Sequence, residues 1–349
     1  MAAVTFAVPG SLDQPTGGYA YDRRVIAGLR QRGCEVEVID LGDGFPRPAP
    51  GTAGAALPRL LRVPAGRPIV IDGLALGVLP EAAEGLRATH PVIALVHHPL
   101  ALESGLAPGA AAALRDSERA ALAAVRRVVV TSPATRRILA ADYGVAAETI
   151  AVALPGTEGA ADAAVRKPAG ETINLLAVGA VVRRKGYDLL IEALGRLTDL
   201  DWRLVIAGDC TRDRDAAAEL AATLVQRRFG ARVRMAGAVS GQELAALHGG
   251  ADVFVLASRY EGYGMAYANA IAHGLPVIGT RAGAIPETVP EGAGILVPPD
   301  DVVALAAALR TMIADAGLRE RCSAAARAAR MPTWEAAAQV FLDVLRTVA

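Results

Sequence analysis

Lysine is almost missing from this chain of 349 residues: Lys167 and Lys185 are the only two, although lysine and arginine together number 36. Arginine carries the rest of the positive charge, so Lys185, at the end of a short basic run, stands out. Acidic residues also number 36, leaving no net charge. With neither a net field nor a basic block, nucleic acid is not an expected partner. Cysteine is scarce as well. Cys34, Cys210 and Cys322 lie far apart without a CxxC or Cys/His spacing, which points away from a disulfide framework and from structural zinc and fits a reducing compartment. No apolar stretch runs uninterrupted for about 18 residues, and the N-terminus lacks a basic region ahead of a long apolar core, so neither a membrane span nor a signal peptide is expected. The chain reads as soluble and cytoplasmic.

What is abundant is aliphatic: hydrophobic residues make up 53% of the sequence while aromatics supply 4%, enough for two sizeable cores built from Ala, Val, Leu and Ile. Short apolar runs at Val4–Val8, Val36–Leu41, Ile69–Ile71, Val92–Val96, Val128–Val130 and Ile150–Leu154 alternate with helical patterns. The alternation predicts a parallel, doubly wound sheet. A second set follows at Ile173–Val178, Leu204–Ala207, Val233–Ala236, Val253–Leu256, Val277–Gly279 and Ile295–Val297. Between the two sets, an Ala/Gly/Lys/Pro-rich stretch without apolar periodicity marks a linker. The expected organisation is a first domain over 1–156, a linker over 157–170, and a second domain over 171–332. Pro332 breaks a helix there, and a last helix over 333–349 is expected to join the first domain. The Pro-rich segment Gly44–Pro68 reads as irregular, with one short helix near Gly54–Leu61.

The most informative stretch is Asp252–Thr280. Its apolar opening, Val253 to Leu256, reads as a strand buried on both faces. A glycine-punctuated turn follows, Arg259-Tyr260-Glu261-Gly262-Tyr263-Gly264, then a helix from about Met265 to His273, stopped by Gly274 and Pro276. Ligands of open α/β sheets bind beyond the carboxyl ends of strands, which places Glu261 and the first turns of that helix beside a ligand. Gly262 and Gly264 let the backbone approach it closely.

Other strand ends carry weaker signals. Gly17-Gly18 precedes a helix read from about Tyr19 and can admit a phosphate or acceptor to free N–H groups, or serve as a plain turn. His97 and His98 end a strand, with Glu103 nearby. Adjacent side chains of an extended segment point to opposite faces, so a metal held by both histidines is disfavoured. Ser132 followed by Pro133 reads as a helix N-cap. Arg183-Arg184-Lys185-Gly186, in a strand-to-helix loop, can grip a diphosphate, Arg through its planar fork and Lys as a point charge. Asp213-Arg214-Asp215 falls in a helical, solvated run and is not read as a metal signature. Glu287 faces a ligand or caps at the surface.

The run EGYGMAYANAIAHGLPVIGT, followed by RAGAIPE, resembles the C-terminal half of the retaining family-4 (group 1) glycosyltransferases. The resemblance is strong over 171–300 and moderate over 1–155. It implies a GT-B fold, two Rossmann-like doubly wound parallel-sheet domains facing a cleft, with the C-terminal helix crossing back to the N-terminal domain. The implied activity is metal-independent transfer of a hexose, with retention, from a nucleoside-diphosphate sugar to an acceptor hydroxyl by front-face attack. The donor is a co-substrate and no cofactor is implied. The acceptor is an unidentified glycan, lipid-linked or small molecule, and peripheral membrane contact is left open. Glu261, Lys185 and one histidine, for which His98 is favoured, are implied in catalysis. Gly17, Gly18, His97, Arg183, Arg184, Gly262, Tyr263, Gly264, Met265 and Asn269 are implied in substrate binding, and Ala238-Val239 lies where the nucleobase would rest. Two positions depart from the family pattern: Asn269 replaces the second glutamate, which would hold the ribose, and Ala180 replaces an arginine. A degenerate sugar-nucleotide binder, or an epimerase of the same fold, are the alternatives.

Overall fold

The computed structural model describes residues 3–14, 16–103, 105–157 and 172–348. The linker expected over 157–170 falls, beyond Thr157, outside the described residues. The chain divides into two compact units. One combines residues 1–156 with 332–349, and the other spans 157–331.

In the first unit, six strands form one parallel sheet: β1 (Ala3–Val8), β2 (Glu35–Asp40), β3 (Ile69–Asp72), β4 (Val92–Val96), β5 (Arg127–Val130) and β6 (Ile150–Val152), in the order β2-β1-β3-β4-β5-β6. All five residues of β4 and all four of β3 are buried, as expected for parallel strands covered on both faces. The sheet grows from β1 to β2 on one side and from β3 to β6 on the other. Its direction reverses between β1 and β3, the switch point where open α/β sheets bind ligands.

The helix Gly17–Gln31 follows β1. It starts two residues earlier than the sequence suggests, because Thr16 caps it by accepting the Tyr19 N–H. The Pro-rich segment holds a longer helix than expected, Pro50–Leu60. Pro50 at its first turn presets φ where an N–H would have no intrahelical partner, and Pro58 lies inside the helix close to its end. Ser132 accepts the Thr135 N–H at 3.0 Å and caps the helix Pro133–Asp142. The C-terminal helix Trp334–Val348 packs on Gly17–Gln31. Phe341 meets Phe6 at a ring separation of 5.9 Å, Trp334 meets Tyr21 edge-on at 5.8 Å, and Arg32 donates to the Glu335 carbonyl at 3.1 Å.

The second unit repeats the plan with β7 (Ile173–Val178), β8 (Trp202–Ala207), β9 (Val233–Gly237), β10 (Val253–Val255), β11 (Val277–Thr280) and β12 (Gly294–Val297), all parallel, in the order β12-β11-β10-β7-β8-β9. Here the direction reverses between β7 and β10, which pair directly, Val253 with Leu175 and Phe254 with Leu176. Phe254 is fully buried against Tyr267, and burial of such a side chain stabilises by roughly 1.5–3 kcal/mol. On the far side of the sheet Trp202 is sealed by Phe229 and donates its indole N–H to the Leu197 carbonyl at 2.8 Å.

Candidate functional site

The carboxyl ends of β7 and β10 meet because the strands pair, and each delivers one half of a charged cluster. From β7 comes a one-turn helix, Arg183–Lys185, closed by Gly186 in the left-handed conformation (φ 65°, ψ 32°). A Cβ on Gly186 would sit 2.0 Å from the Ala257 carbonyl oxygen, so only glycine brings this turn so close to the β10 side. From β10 comes the turn bearing Glu261, whose carboxylate is buried. Lys185 Nζ donates to its Oε1 at 2.6 Å, Arg184 Nη1 to its Oε2 at 3.2 Å, and Ser258 Oγ to its Oε1 at 2.7 Å. Burial by itself would push the pKa of Glu261 up. The Lys185 and Arg184 charges and the two hydrogen bonds outweigh it and hold the group at about 2. Two cations on one carboxylate leave the cluster with net positive charge, ahead of the helix Tyr187–Leu194.

Its surroundings are fixed. Arg184 also donates to the Tyr260 carbonyl at 2.8 Å. Tyr187, buried, donates to the Gly179 carbonyl at 2.7 Å, and Ala284 N–H donates to the Glu261 carbonyl at 2.9 Å. Arg259 straps the two strand ends together: it pairs with both Asp188 oxygens at 3.0 and 2.7 Å, with Asp300 at 2.7 Å, and with the Arg183 carbonyl at 2.6 Å.

After the turn, Gly264 (φ 99°) starts the helix Met265–Ala272, a backbone geometry that a side chain would strain. Gly262 and Tyr263 are buried in the turn, and Thr288 holds the Tyr263 carbonyl at 2.5 Å. Met265 and Asn269 are half-buried on that helix, Asn269 one turn beyond its start. Arg183 lies apart: its exposed side chain pairs with Glu219 at 2.6 Å. Thus Glu261, Lys185 and Arg184 come together, and Arg183 does not join them. Glu287 stands in the four-residue helix Ile285–Thr288, and Asp213 caps the helix Arg214–Gln226 through the Ala216 N–H.

The first unit separates the two histidines. His98 lies beside Glu103, Nε2 to Oε2 3.4 Å. His97 turns inward, its Nε2 at 3.3 Å from both Asp22 Oδ1 and Asp72 Oδ2. Burial opposes a charge on the ring, but the two carboxylates prevail and raise its pKa. Asp22 is raised too, by burial first and by the Asp72 charge second. Gly17 opens the adjoining helix, and Gly18 lies against the His97 ring, where an added Cβ would sit at 3.5 Å.

Sequence reasoning missed Asp22, Asp72 and Arg259. The first had a readable signal: Asp22 shares the buried stripe of its helix with Val25, Ile26 and Leu29, a carboxylate where the pattern calls for an apolar residue.

Twin doubly wound parallel sheets make the GT-B fold, and a carboxylate gripped by two cations sits at the switch point of the second. Over residues 161–329 the chain matches the pattern of the family described as glycosyl transferases group 1. It is 29% identical to a D-inositol 3-phosphate glycosyltransferase of Xylanimonas cellulosilytica, over 95% of this chain and 93% of that protein. The sucrose-phosphate synthase of Thermosynechococcus elongatus superposes with a TM-score of 0.81 at 22% identity, covering 99% of each chain. HepE of Anabaena, solved with UDP-glucose, gives 0.73 at 18% identity, covering 100% of this chain and 98% of that one. At these identities the two structures speak for the fold alone. No helix among the described residues is long and apolar enough to cross a membrane.

Proposed function

We propose that this enzyme is a retaining, family-4 hexosyltransferase that uses a nucleoside-diphosphate sugar and no cofactor. The observation that carries the reading is the buried Glu261 carboxylate held by Lys185 at 2.6 Å and Arg184 at 3.2 Å where β7 and β10 end. A diphosphate is a stronger anion than a carboxylate and offers more acceptor oxygens, so it competes with Glu261 for the same two cations. As the glycosidic bond breaks, charge accumulates on the departing diphosphate. Lys185 and Arg184 stabilise it in a preorganised, largely dry site, the role a metal ion takes in other enzymes. Glu261, released in part from its ion pairs, orients the sugar hydroxyls. Backbone N–H groups at the start of the helix Met265–Ala272 add their dipole. Asn269, in the place of the ribose-binding glutamate, offers a neutral amide where a carboxylate would bond more strongly. No side chain is assigned as a covalent nucleophile, so the acceptor attacks from the face the leaving group vacates. His98 is the histidine assigned to the sugar, a cytoplasmic location is the expected setting, and the acceptor is a hydroxyl compound.

A second reading, a sugar-nucleotide binder without turnover, is favoured by Asn269 and by Ala180. Binding and hydrolysis of UDP-, GDP- and ADP-hexoses by wild type and Lys185→Ala separate the two. Nucleoside diphosphate released from one donor, and lost in the variant, supports the transferase. Tight binding without release, with every acceptor tried, supports the binder, and no binding to any donor removes both.

A further inference from the structure

Three elements converge on a second switch point, between β1 and β3 of the first sheet. Asp22 comes from the helix after β1, Asp72 from the last residue of β3, and His97 from the residue after β4. One oxygen of each aspartate and the His97 nitrogen lie within 4.8 Å of one another. Asp22 is fully buried, and no well-aligned hydrogen bond reaches either of its carboxylate oxygens, His97 approaching one of them at 3.3 Å. The His97 Nε2 is likewise unsatisfied.

A buried carboxylate without well-aligned hydrogen bonds is costly unless something charged or donating fills the space. The His97 ring fills it only loosely. Its 3.3 Å contacts exceed the roughly 2.7–2.9 Å of a charge-assisted hydrogen bond. They match a different geometry: two ligand atoms bonded at about 2.0–2.1 Å to one tetrahedral ion stand about 3.3 Å apart. Charge balance agrees, since two carboxylates and a neutral imidazole together neutralise one divalent cation.

The ligands are also held from behind, as metal ligands usually are. Asp72 spends its other oxygen on the Leu74 N–H at 2.7 Å, leaving Oδ2 directed at His97. The His97 carbonyl accepts from Thr131 at 3.1 Å, and Tyr21 braces the ring edge-on at 5.3 Å. The His97 side chain keeps one-fifth of its surface exposed, which provides an entry path.

We infer that Asp22, Asp72 and His97 form a site for one divalent cation of the zinc class, with three protein ligands and one open position. The cation closes the interior of the first unit by joining the ends of β3 and β4 to the first helix. It is distinct from the counter-charge assigned to the leaving group, and the inference does not depend on the donor reading.

The test uses the full chain, stripped with a chelator and titrated with Co2+, then with Zn2+. Saturation at one Co2+ per chain, with the visible absorption of four-coordinate cobalt and displacement by Zn2+, is the expected result. Asp22→Asn and His97→Gln should each weaken binding at least about tenfold. Zn2+ should raise the Tm of the wild type by mass action and leave that of Asp22→Asn unmoved. The stacked pair His248 and His273 in the second unit serves as the internal control, since metal taken up there is insensitive to Asp22→Asn. Absence of the cobalt band in the wild type overturns the inference, and so does equal affinity in folded Asp22→Asn. Near-ultraviolet circular dichroism checks folding, and the wild-type titration decides alone if the variants do not fold.

Discussion

The two switch points face opposite electrostatic problems. In the second unit one carboxylate, Glu261, is outnumbered by Lys185 and Arg184, and both its oxygens are bonded. In the first unit one imidazole, His97, is outnumbered by Asp22 and Asp72, and no well-aligned hydrogen bond reaches the Asp22 oxygens. Two doubly wound parallel sheets of different strand order thus present net positive charge at one switch point and net negative charge at the other. A fold fixes where a ligand goes; the side chains delivered by two or three loops decide its sign.

The strongest way to break the comparison is to take the surplus cation from the second cluster. Lys185→Ala leaves Glu261 buried with one partner, and we expect donor turnover to fall by at least about a hundredfold. Stability of the second unit should drop by roughly 3 kcal/mol. Urea unfolding followed by Trp202 fluorescence in a Trp334→Phe background reads that unit alone. An unchanged midpoint would mean that the Lys185–Glu261 bond contributes nothing.

Acid should dismantle the same cluster. Glu261 is held at about 2 against an ordinary 4.5, so its contribution is complete above pH 4.5 and disappears as pH falls through about 2. That depression corresponds to stability on the order of 3 kcal/mol. Glu261→Gln should therefore flatten the stability profile between about pH 4.5 and 2, and parallel profiles for wild type and variant would refute the assignment.

Smaller effects sharpen the picture. Arg184→Ala should weaken donor binding about tenfold and Arg183→Ala less than about twofold, because only Arg184 reaches Glu261 while Arg183 is occupied at the surface by Glu219. The reverse ranking in isothermal titration would relocate the phosphate site. Asn269→Glu should tighten donor binding about three- to tenfold by restoring a charged acceptor for the ribose. Weaker binding would show a site rebuilt around the amide.

Much of the fold was legible because parallel strands buried on both faces leave continuous apolar runs, and each of the twelve runs read from the sequence coincides with a strand. Glu261, Lys185 and Arg184 were legible because each sits in a short polar loop at the end of such a run. What stayed hidden depends on which strands are neighbours. That β7 pairs with β10, bringing residues 185 and 261 to 2.6 Å, is a fact of sheet order and not of spacing. Likewise the neighbouring letters His97 and His98 look alike, and only their surroundings, two buried aspartates for one and Glu103 for the other, distinguish them. Arg259 was unremarkable as one arginine among many; its partners at positions 183, 188 and 300 come from three separate loops.

The last helix, Trp334–Val348, lays Trp334 and Phe341 on Tyr21, the ring that braces His97. The first unit is therefore not continuous in time during synthesis. Its opening helix emerges from the ribosome early, yet the surface that covers Tyr21 follows only after residues 157–331 have been made. At roughly 5–20 residues per second that wait is on the order of ten to thirty-five seconds, by the end of which the second unit has its whole sequence while the first still lacks one wall.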